Sequence, residues 1–271
     1  MIVSDLFSLK GKTAIVTGGL GQLGTQYVKS LLEAGAKVAV FDVKVDKLNS
    51  FFQANKENQF LKIYQVDITD KKSISEGLTR VMRDLGVPTI LVNNAALDAP
   101  PNAPASENGP FEDFPGESLD KSYAVNLKGM VFCCQVMGKA MAGNGGGSII
   151  NISSIYGNLS PDQRIYKYRG RAGNPFIKPV SYAVTKAAVL NLTRYLATYW
   201  AERGVRVNTL SLGGVFNNQD QEFLKGYCQR VPLGRMANED EYNGAVIFLA
   251  SDASSYVTGA NIMIDGGLSA W

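Results

Sequence analysis

Tyr182 and Lys186 stand four residues apart in the run Tyr182-Ala183-Val184-Thr185-Lys186. On a helix this spacing puts a phenol and an ammonium one turn apart on the same face. The chain contains no histidine, which excludes Ser-His-Asp and Cys-His nucleophile systems and every His-ligated metal site. Any proton chemistry must therefore run through Tyr, Lys, Asp, Glu or Cys. The three cysteines, Cys133, Cys134 and Cys228, have a spacing that suits neither a disulfide framework nor a zinc clip. No metal is expected.

A second constellation lies near the N-terminus, in Thr17-Gly18-Gly19-Leu20-Gly21-Gln22-Leu23-Gly24. It falls where a short apolar strand meets a helix. Gly18 allows the tight turn, Gly21 lets backbone approach a pyrophosphate, and Gly24 lets helix and strand pack closely. The helix opening at Gln22 and Leu23 offers free N–H groups and a partial positive charge to phosphates. Downstream, Val38-Ala39-Val40-Phe41-Asp42 ends in a carboxylate. There it can accept a bond from an adenosine ribose 2′-hydroxyl and repel a 2′-phosphate, which favours NAD over NADP. Lys44 lies close enough to soften that preference.

The elements that must position these residues can be read from hydrophobic periodicity. Strands are expected at Thr13–Thr17, Lys37–Phe41, Phe60–Val66, Ile90–Val92, Ser148–Ile152, Arg206–Leu210 and Asn261–Ile264. Helices are expected at Gln22–Glu33, Lys71–Leu85, Glu117–Met141, Tyr182–Glu202 and Asn238–Ala250. Strands alternating with helices of this length imply βαβ units and a parallel sheet. About seven strands with helices on both faces give one doubly wound α/β domain over residues 1–271, without a linker or an internal repeat. Two stretches break the rhythm, Leu97–Glu117 with five prolines and Ile155–Pro179, rich in Gly, Pro, Tyr and Arg. Each follows a strand at its C-terminal end, the edge where ligands bind in such sheets.

Composition bounds the partners. The 271 residues are 45% hydrophobic and 19% charged with a net charge of +3, so no strong pull toward nucleic acid follows. Apolar runs fall short of the roughly 20 residues a membrane span needs. The start MIVSDLFSLKGK carries no secretory pattern, and a cytoplasmic location is expected.

The glycine turn, Asp42 and the Tyr-x-x-x-Lys pair together resemble the short-chain dehydrogenase/reductase family, essentially end to end. Asn93-Asn94-Ala95-Ala96 looks like the segment that buttresses the sheet beside the cofactor. Asp67-Ile68 resembles the family's adenine-contacting pair, and Val125-Asn126-Leu127 the segment with its catalytic Asn. In Asn151-Ile152-Ser153-Ser154 the second serine aligns with the catalytic Ser. Gly204-Val205-Arg206-Val207-Asn208 and the stretch from Val257 to Gly267 also match.

The resemblance implies a Rossmann fold and hydride transfer between nicotinamide and a secondary alcohol or ketone. Tyr182 would be the general acid/base. A free phenol titrates near pH ~10, and a nearby ammonium with the positive nicotinamide ring favours its ionised form. Lys186 would supply that charge and hold the ribose hydroxyls. Ser154 would orient the substrate oxygen, and Asn126 would hold a water linking Lys186 to solvent. Asn94 and Ala95 would lie beside the cofactor. Gly213 and Val215 would line nicotinamide, with the Val215 backbone meeting its carboxamide.

The chain also departs from the pattern. Gln22 stands where the commonest single-domain turn has glycine, so the spacing is that of the family's extended branch. Leu212 replaces the usual Pro, and Ala96 a Gly. Ser154 and Tyr182 are 28 residues apart, about twice the family's usual interval. The additional segment, Ile155–Pro179, holds Arg164, Lys167, Arg169, Arg171 and Lys178 against one acid, Asp162. It also carries Tyr156, Tyr166, Tyr168 and Phe176. Either it is a lid over a sugar-like, phosphorylated or acidic substrate, with Tyr156, Arg164, Arg169 and Arg171 as its contacts, or it is a solvated loop or a subunit contact. This segment and Pro232–Ala237 resemble a subgroup from flagellin-modification and surface-polysaccharide pathways. The family pairs the faces of the two long helices between subunits, so a homodimer or homotetramer is expected. Two rival functions are a sugar epimerase or dehydratase with tightly bound NAD, and an NAD-sensing protein without chemistry.

Overall fold

The computed structural model describes residues 2–98, 107–170 and 176–271. In chain order the elements are α1 (Val3–Leu6), β1 (Thr13–Thr17), α2 (Gln22–Glu33), β2 (Lys37–Asp42), α3 (Ser50–Ala54), β3 (Leu61–Gln65), α4 (Lys71–Asp84) and β4 (Ile90–Asn93). They continue with α5 (Gly116–Tyr123), α6 (Met130–Ala142), β5 (Gly147–Ser154), α7 (Val180–Trp200), β6 (Val205–Leu212), α8 (Gln221–Cys228), α9 (Asn243–Ala250) and β7 (Asn261–Ile264).

The seven strands form one sheet in the order β3-β2-β1-β4-β5-β6-β7, and every pairing is parallel. Central strands are buried on both faces, so β1 and β4 read as unbroken apolar runs rather than alternating ones. Ala14 and Val16 of β1 pack toward α2 and α9 with Tyr27, Leu31 and Val246. Ile15 points the other way, into the layer of α4, α6 and α7 with Ile74, Met137 and Val189. Strand order reverses between β1 and β4. The crevice at their C-terminal ends is the ligand-binding position of such sheets.

Two expected helices change on inspection. Glu117–Met141 is not continuous: α5 and α6 are joined by a π-wound segment, Ala124–Gly129. Its wider turns place the buried Asn126 against Leu97 and Thr185. The helix expected from Asn238 begins at Asn243, because the Asn238 N–H donates to the Glu241 carboxylate in a preceding turn. A third apolar cluster, unforeseen in the periodicity, joins Ile155 and Tyr166 to Phe223 and Tyr227 of α8. It fastens part of the 155–179 segment to the body of the protein. No helix among the described residues is long and apolar enough to cross a membrane.

Candidate active site

The last residues of β5 and the first turns of α7 are locked together. Ser153 donates its hydroxyl to the Lys186 carbonyl at 2.8 Å. A Cβ on Gly157 would lie 2.6 Å from that same carbonyl oxygen, so this turn admits only glycine without displacement. The lock sets Tyr182 and Lys186, one turn apart on α7, against Ser154 at the end of β5. Lys186 is buried and donates from Nζ to the Ile152 carbonyl at 2.8 Å. Its ammonium lies 5.7 Å from the centre of the Tyr182 ring, and Ser154 and Tyr182 line the same cavity.

Burial governs the protonation of this pair. It pushes the Lys186 ammonium down to about 8, against the opposing pull of Asp98. It also drives the Tyr182 phenol well above its ordinary range. The charges of Asp98 and Tyr156 push the same way, and the hydrogen bond from Ser154 opposes them. In the protein alone Tyr182 is therefore a proton carrier in its neutral form, and its ionisation needs a further positive charge.

Asn126 is fully buried. Its Oδ1 accepts from the Leu97 N–H at 2.6 Å, and its Nδ2 donates to the Leu97 carbonyl at 2.9 Å and to Thr185 Oγ1 at 3.3 Å. The amide thus ties the loop after β4 to α7.

The glycine turn is shaped as its sequence requires. Gly18 has φ +61°, and a Cβ there would meet Ala95 Cα at 2.8 Å. A Cβ on Gly24 would sit 2.2 Å from the Gly18 carbonyl oxygen. Gly21 differs, because the nearest protein atom to its Cβ position is at an ordinary 3.4 Å. Nothing inside the chain requires glycine there, and the backbone is left open on that side. No side chain caps the N-terminus of α2, whereas Asp70 and Asp220 cap α4 and α8. The N–H groups at Gln22 and Leu23 are thus left for an anion. Asn94 donates from Nδ2 to the carbonyls of Thr17 and Gly18, and the N–H groups of Asn94 and Ala95 both donate to Thr17 Oγ1. Asp42 accepts from the N–H groups of Leu20 and Lys44 at 3.2 Å each. Its carboxylate is held at the rim of the turn. Asp67 accepts from Thr69 N and Oγ1, and Ile68 is buried where a Cβ on Gly129 would touch it.

On the far wall, Gly213 and Gly214 are gripped from both sides. Tyr242 donates its hydroxyl to the Gly213 carbonyl at 3.0 Å, and the Gly214 N–H donates to the Tyr227 hydroxyl at 2.6 Å. Val215 pairs with Ala237 in a short bridge. These bonds fix the backbone without the proline that Leu212 replaces.

A cavity of about 780 Å³ joins the two ends. Gln22, Leu23 and Asn94 line it on the nucleotide side, Ser154, Tyr182 and Lys186 at its centre, and Gly213 and Val215 opposite. Tyr156 and Arg169 from the 155–179 segment also reach it. Arg169 is held by Asp220 at 2.7 Å and by the Tyr168 hydroxyl at 2.6 Å. Arg164 turns outward, 79% exposed, and grips Asp162. Arg171 lies outside the described residues. Sequence reasoning missed two residues, Asp220 and Tyr227, and one pairing, Lys178 with Asp98. Asp220 is legible only as a cap of the unpredicted α8. Tyr227 comes from that same helix. Lys178 meets Asp98 at 2.5 Å across 80 residues of sequence, and no local pattern announces such a pair.

A dinucleotide cradle opening onto a phenol, an ammonium and a serine hydroxyl defines a nicotinamide-dependent oxidoreductase. The chain belongs to the short-chain dehydrogenase/reductase family. A model from that family, described as enoyl-(acyl carrier protein) reductase, matches residues 21–269. Gluconate 5-dehydrogenase from Gluconobacter oxydans (strain 621H) is 33% identical over 97% of this chain and 97% of its own. A short-chain dehydrogenase from Leptospira borgpetersenii serovar Hardjo-bovis (strain JB197), solved with bound NAD+, is 36% identical with a TM-score of 0.84, covering 99% of this chain and 97% of that one. A gluconate 5-dehydrogenase from Burkholderia cenocepacia J2315, solved with NADP and tartrate, is 28% identical with a TM-score of 0.86 over 100% of both chains. The chain is an NAD(P)-dependent enzyme acting on CH–OH groups.

The depressed Lys186 pKa fixes a sign. The folded value of about 8 lies below the ordinary lysine value, so the unfolded chain binds more protons between the two and wild-type stability rises with pH across that window. Thermal melts of the protein without added nucleotide should show Lys186→Met gaining most over wild type below pH 8, with the difference shrinking as pH rises toward 10. Parallel curves would show that the ammonium carries no burial penalty.

Proposed function

We propose that this enzyme interconverts a secondary alcohol and a ketone on a sugar-like substrate, using NAD. The observation that carries the reading is the grouping of Tyr182 and Ser154 with the buried Lys186 in the wall of one cavity that runs from the glycine turn to the 155–179 segment.

A nicotinamide held in this cavity would supply the hydride acceptor or donor and, when oxidised, a positive ring. The chain's residues do the rest. Ser154 and Tyr182 hold the carbinol oxygen between two hydroxyls. Tyr182 takes the carbinol proton in oxidation and gives one back in reduction. Its phenol, raised by burial, moves toward working pH when Lys186 and the oxidised ring face it together. Lys186 would also hold the ribose hydroxyls of a bound nucleotide. The Asn126 amide, committed to Leu97 and Thr185, holds the loop after β4 against α7 beside Tyr182 and Lys186.

Asp42 supports NAD, since its anchored carboxylate stands where a 2′-phosphate would meet like charge. Asp67 and Ile68 flank the adenine side. The gluconate 5-dehydrogenase relatives support a sugar or sugar acid as substrate class, and the tartrate in one of them is a hydroxy acid. Residues 155–179 serve as the lid. Exposed Val184, Tyr195 and Tyr199 on one face of α7 support pairing between copies of the chain as a homodimer or homotetramer.

NAD reduction should be screened against sugars, sugar acids, sugar phosphates and neutral polyols. With any active substrate, Tyr182→Phe should lower turnover about 100- to 10,000-fold while nucleotide affinity, read by calorimetry, stays near wild type. Retained turnover would remove Tyr182 from the chemistry. Asp42→Asn should lower the NAD-over-NADP preference in kcat/KM by about tenfold or more, roughly one charged hydrogen bond. An unchanged preference would move cofactor selection elsewhere.

A further inference from the structure

Lys178 is placed unlike Arg164 and Arg169, two other cations of its segment. Arg164 grips Asp162 on the outside, and Arg169 is held by Asp220 and Tyr168. Lys178 lies within the cavity wall with its side chain 10% exposed, and its ammonium stands 4.9 Å from the centre of the Tyr182 ring. That is nearer than Lys186. Its backbone is clamped by Gln163, which accepts from the Lys178 N–H at 2.8 Å and donates to its carbonyl at 3.2 Å. The neighbouring Ile177 N–H donates to the Asn108 carbonyl at 2.7 Å. The ammonium's carboxylate partner, Asp98, is 53% exposed and belongs to the other long loop. A fixed, largely covered cation is thus paired with an exposed anion at the cavity's edge.

The charges of the cavity are unbalanced. Among the described residues that line it, Arg169, Lys178 and Lys186 face Asp98 and Asp220, one positive charge in excess before any oxidised nicotinamide is counted. Arg164 and Arg169, the two arginines of the segment among the described residues, are engaged with carboxylates of the chain. The cation nearest the phenol is a lysine, a compact point charge suited to a single carboxylate.

We propose that Lys178 is a substrate-specificity residue: its ammonium, which Asp98 holds in this structure, receives the carboxylate of a polyhydroxy acid whose carbinol oxygen rests on Tyr182 and Ser154. Asp98 is then a competitor that the substrate displaces. The assignment rests on the sugar oxidoreductase reading and narrows it to sugar acids, against both neutral polyols and sugar phosphates. A neutral polyol leaves the Lys178–Asp98 pair intact and hydrogen-bonds to both members, so the two cases make opposite demands on Asp98.

The test compares D-gluconate with D-glucitol, its neutral counterpart, as substrates with NAD for wild type, Lys178→Met and Asp98→Asn. Calorimetry of D-gluconate binding to the enzyme–NADH complex accompanies the kinetics. Wild type should prefer the acid. Lys178→Met should lower the acid-to-polyol ratio of kcat/KM by about tenfold or more, the loss of one charged hydrogen bond, and Asp98→Asn should raise it. A parallel fall for both compounds in both variants would make the pair a structural tie and overturn the proposal, as would a wild-type preference for D-glucitol. If wild type oxidises neither compound, the substrate class fails at the sugar-acid level, and calorimetry still decides the role of Lys178. D-gluconate binding that is present in wild type and lost in Lys178→Met upholds it. Equal binding in the two, or none in wild type, refutes it.

Discussion

One buried charge organises this site. The Lys186 ammonium is removed from water and held by the Ile152 carbonyl, and burial works against its protonation. A charge in such a place persists only if the surrounding geometry is fixed well enough to keep its partner in reach. The chain supplies that geometry through the Ser153 bond to the Lys186 carbonyl and through Gly157, where a side chain has no room. Both depend on β5 and β6 running as long, fully paired parallel strands through Ser154 and Leu212. The ammonium's position, and with it the setting of Tyr182, is therefore a consequence of the whole sheet.

The nucleotide end follows the same logic with backbone instead of charge. Asn94 and Thr17 bind the ends of β4 and β1 into one unit around Gly18, and Gly24 admits the helix close against it. The turn is rigid before a ligand arrives, which lowers the ordering cost of binding. The 155–179 segment is tied down differently. Tyr166 and Phe176 pack at a tilt within a small aromatic cluster with Phe223 and Tyr227. The same Tyr227 holds the Gly214 N–H, so this part of the segment and the backbone after β6 share a support. Asp220, kept ionised at about 2 by hydrogen bonds from Tyr168, Phe223 N–H and Arg169 that outweigh its burial, closes the far side.

Much of this was legible in the residues. Parallel strands buried on both faces leave continuous apolar runs, and all seven strands lie where those runs fall. The glycine spacing and Tyr182–Lys186 encode local geometry, and local geometry is what a sequence carries best. What escaped is non-local. The π-wound segment around Asn126 keeps helical composition, so periodicity read it as plain helix. Arg169 and Asp220 are 51 residues apart, and Lys178 and Asp98 are 80 apart. A count of loop cations treated them as available charge, and their partners came from other loops. Arg164 is the instructive case. Its partner Asp162 lies two residues away and was visible in the sequence as the segment's single acid.

The central claim is that Tyr182 waits in its neutral form until the oxidised nicotinamide joins Lys186 beside it. Ultraviolet difference titration of wild type against Tyr182→Phe isolates the ionisation of that one phenol, and running it with and without saturating NAD reads the claim directly. The account predicts that without NAD the Tyr182 signal emerges only above the ordinary tyrosine range, and that with NAD it shifts down toward neutral pH. A Tyr182 signal that emerges at the same pH in both titrations would contradict it.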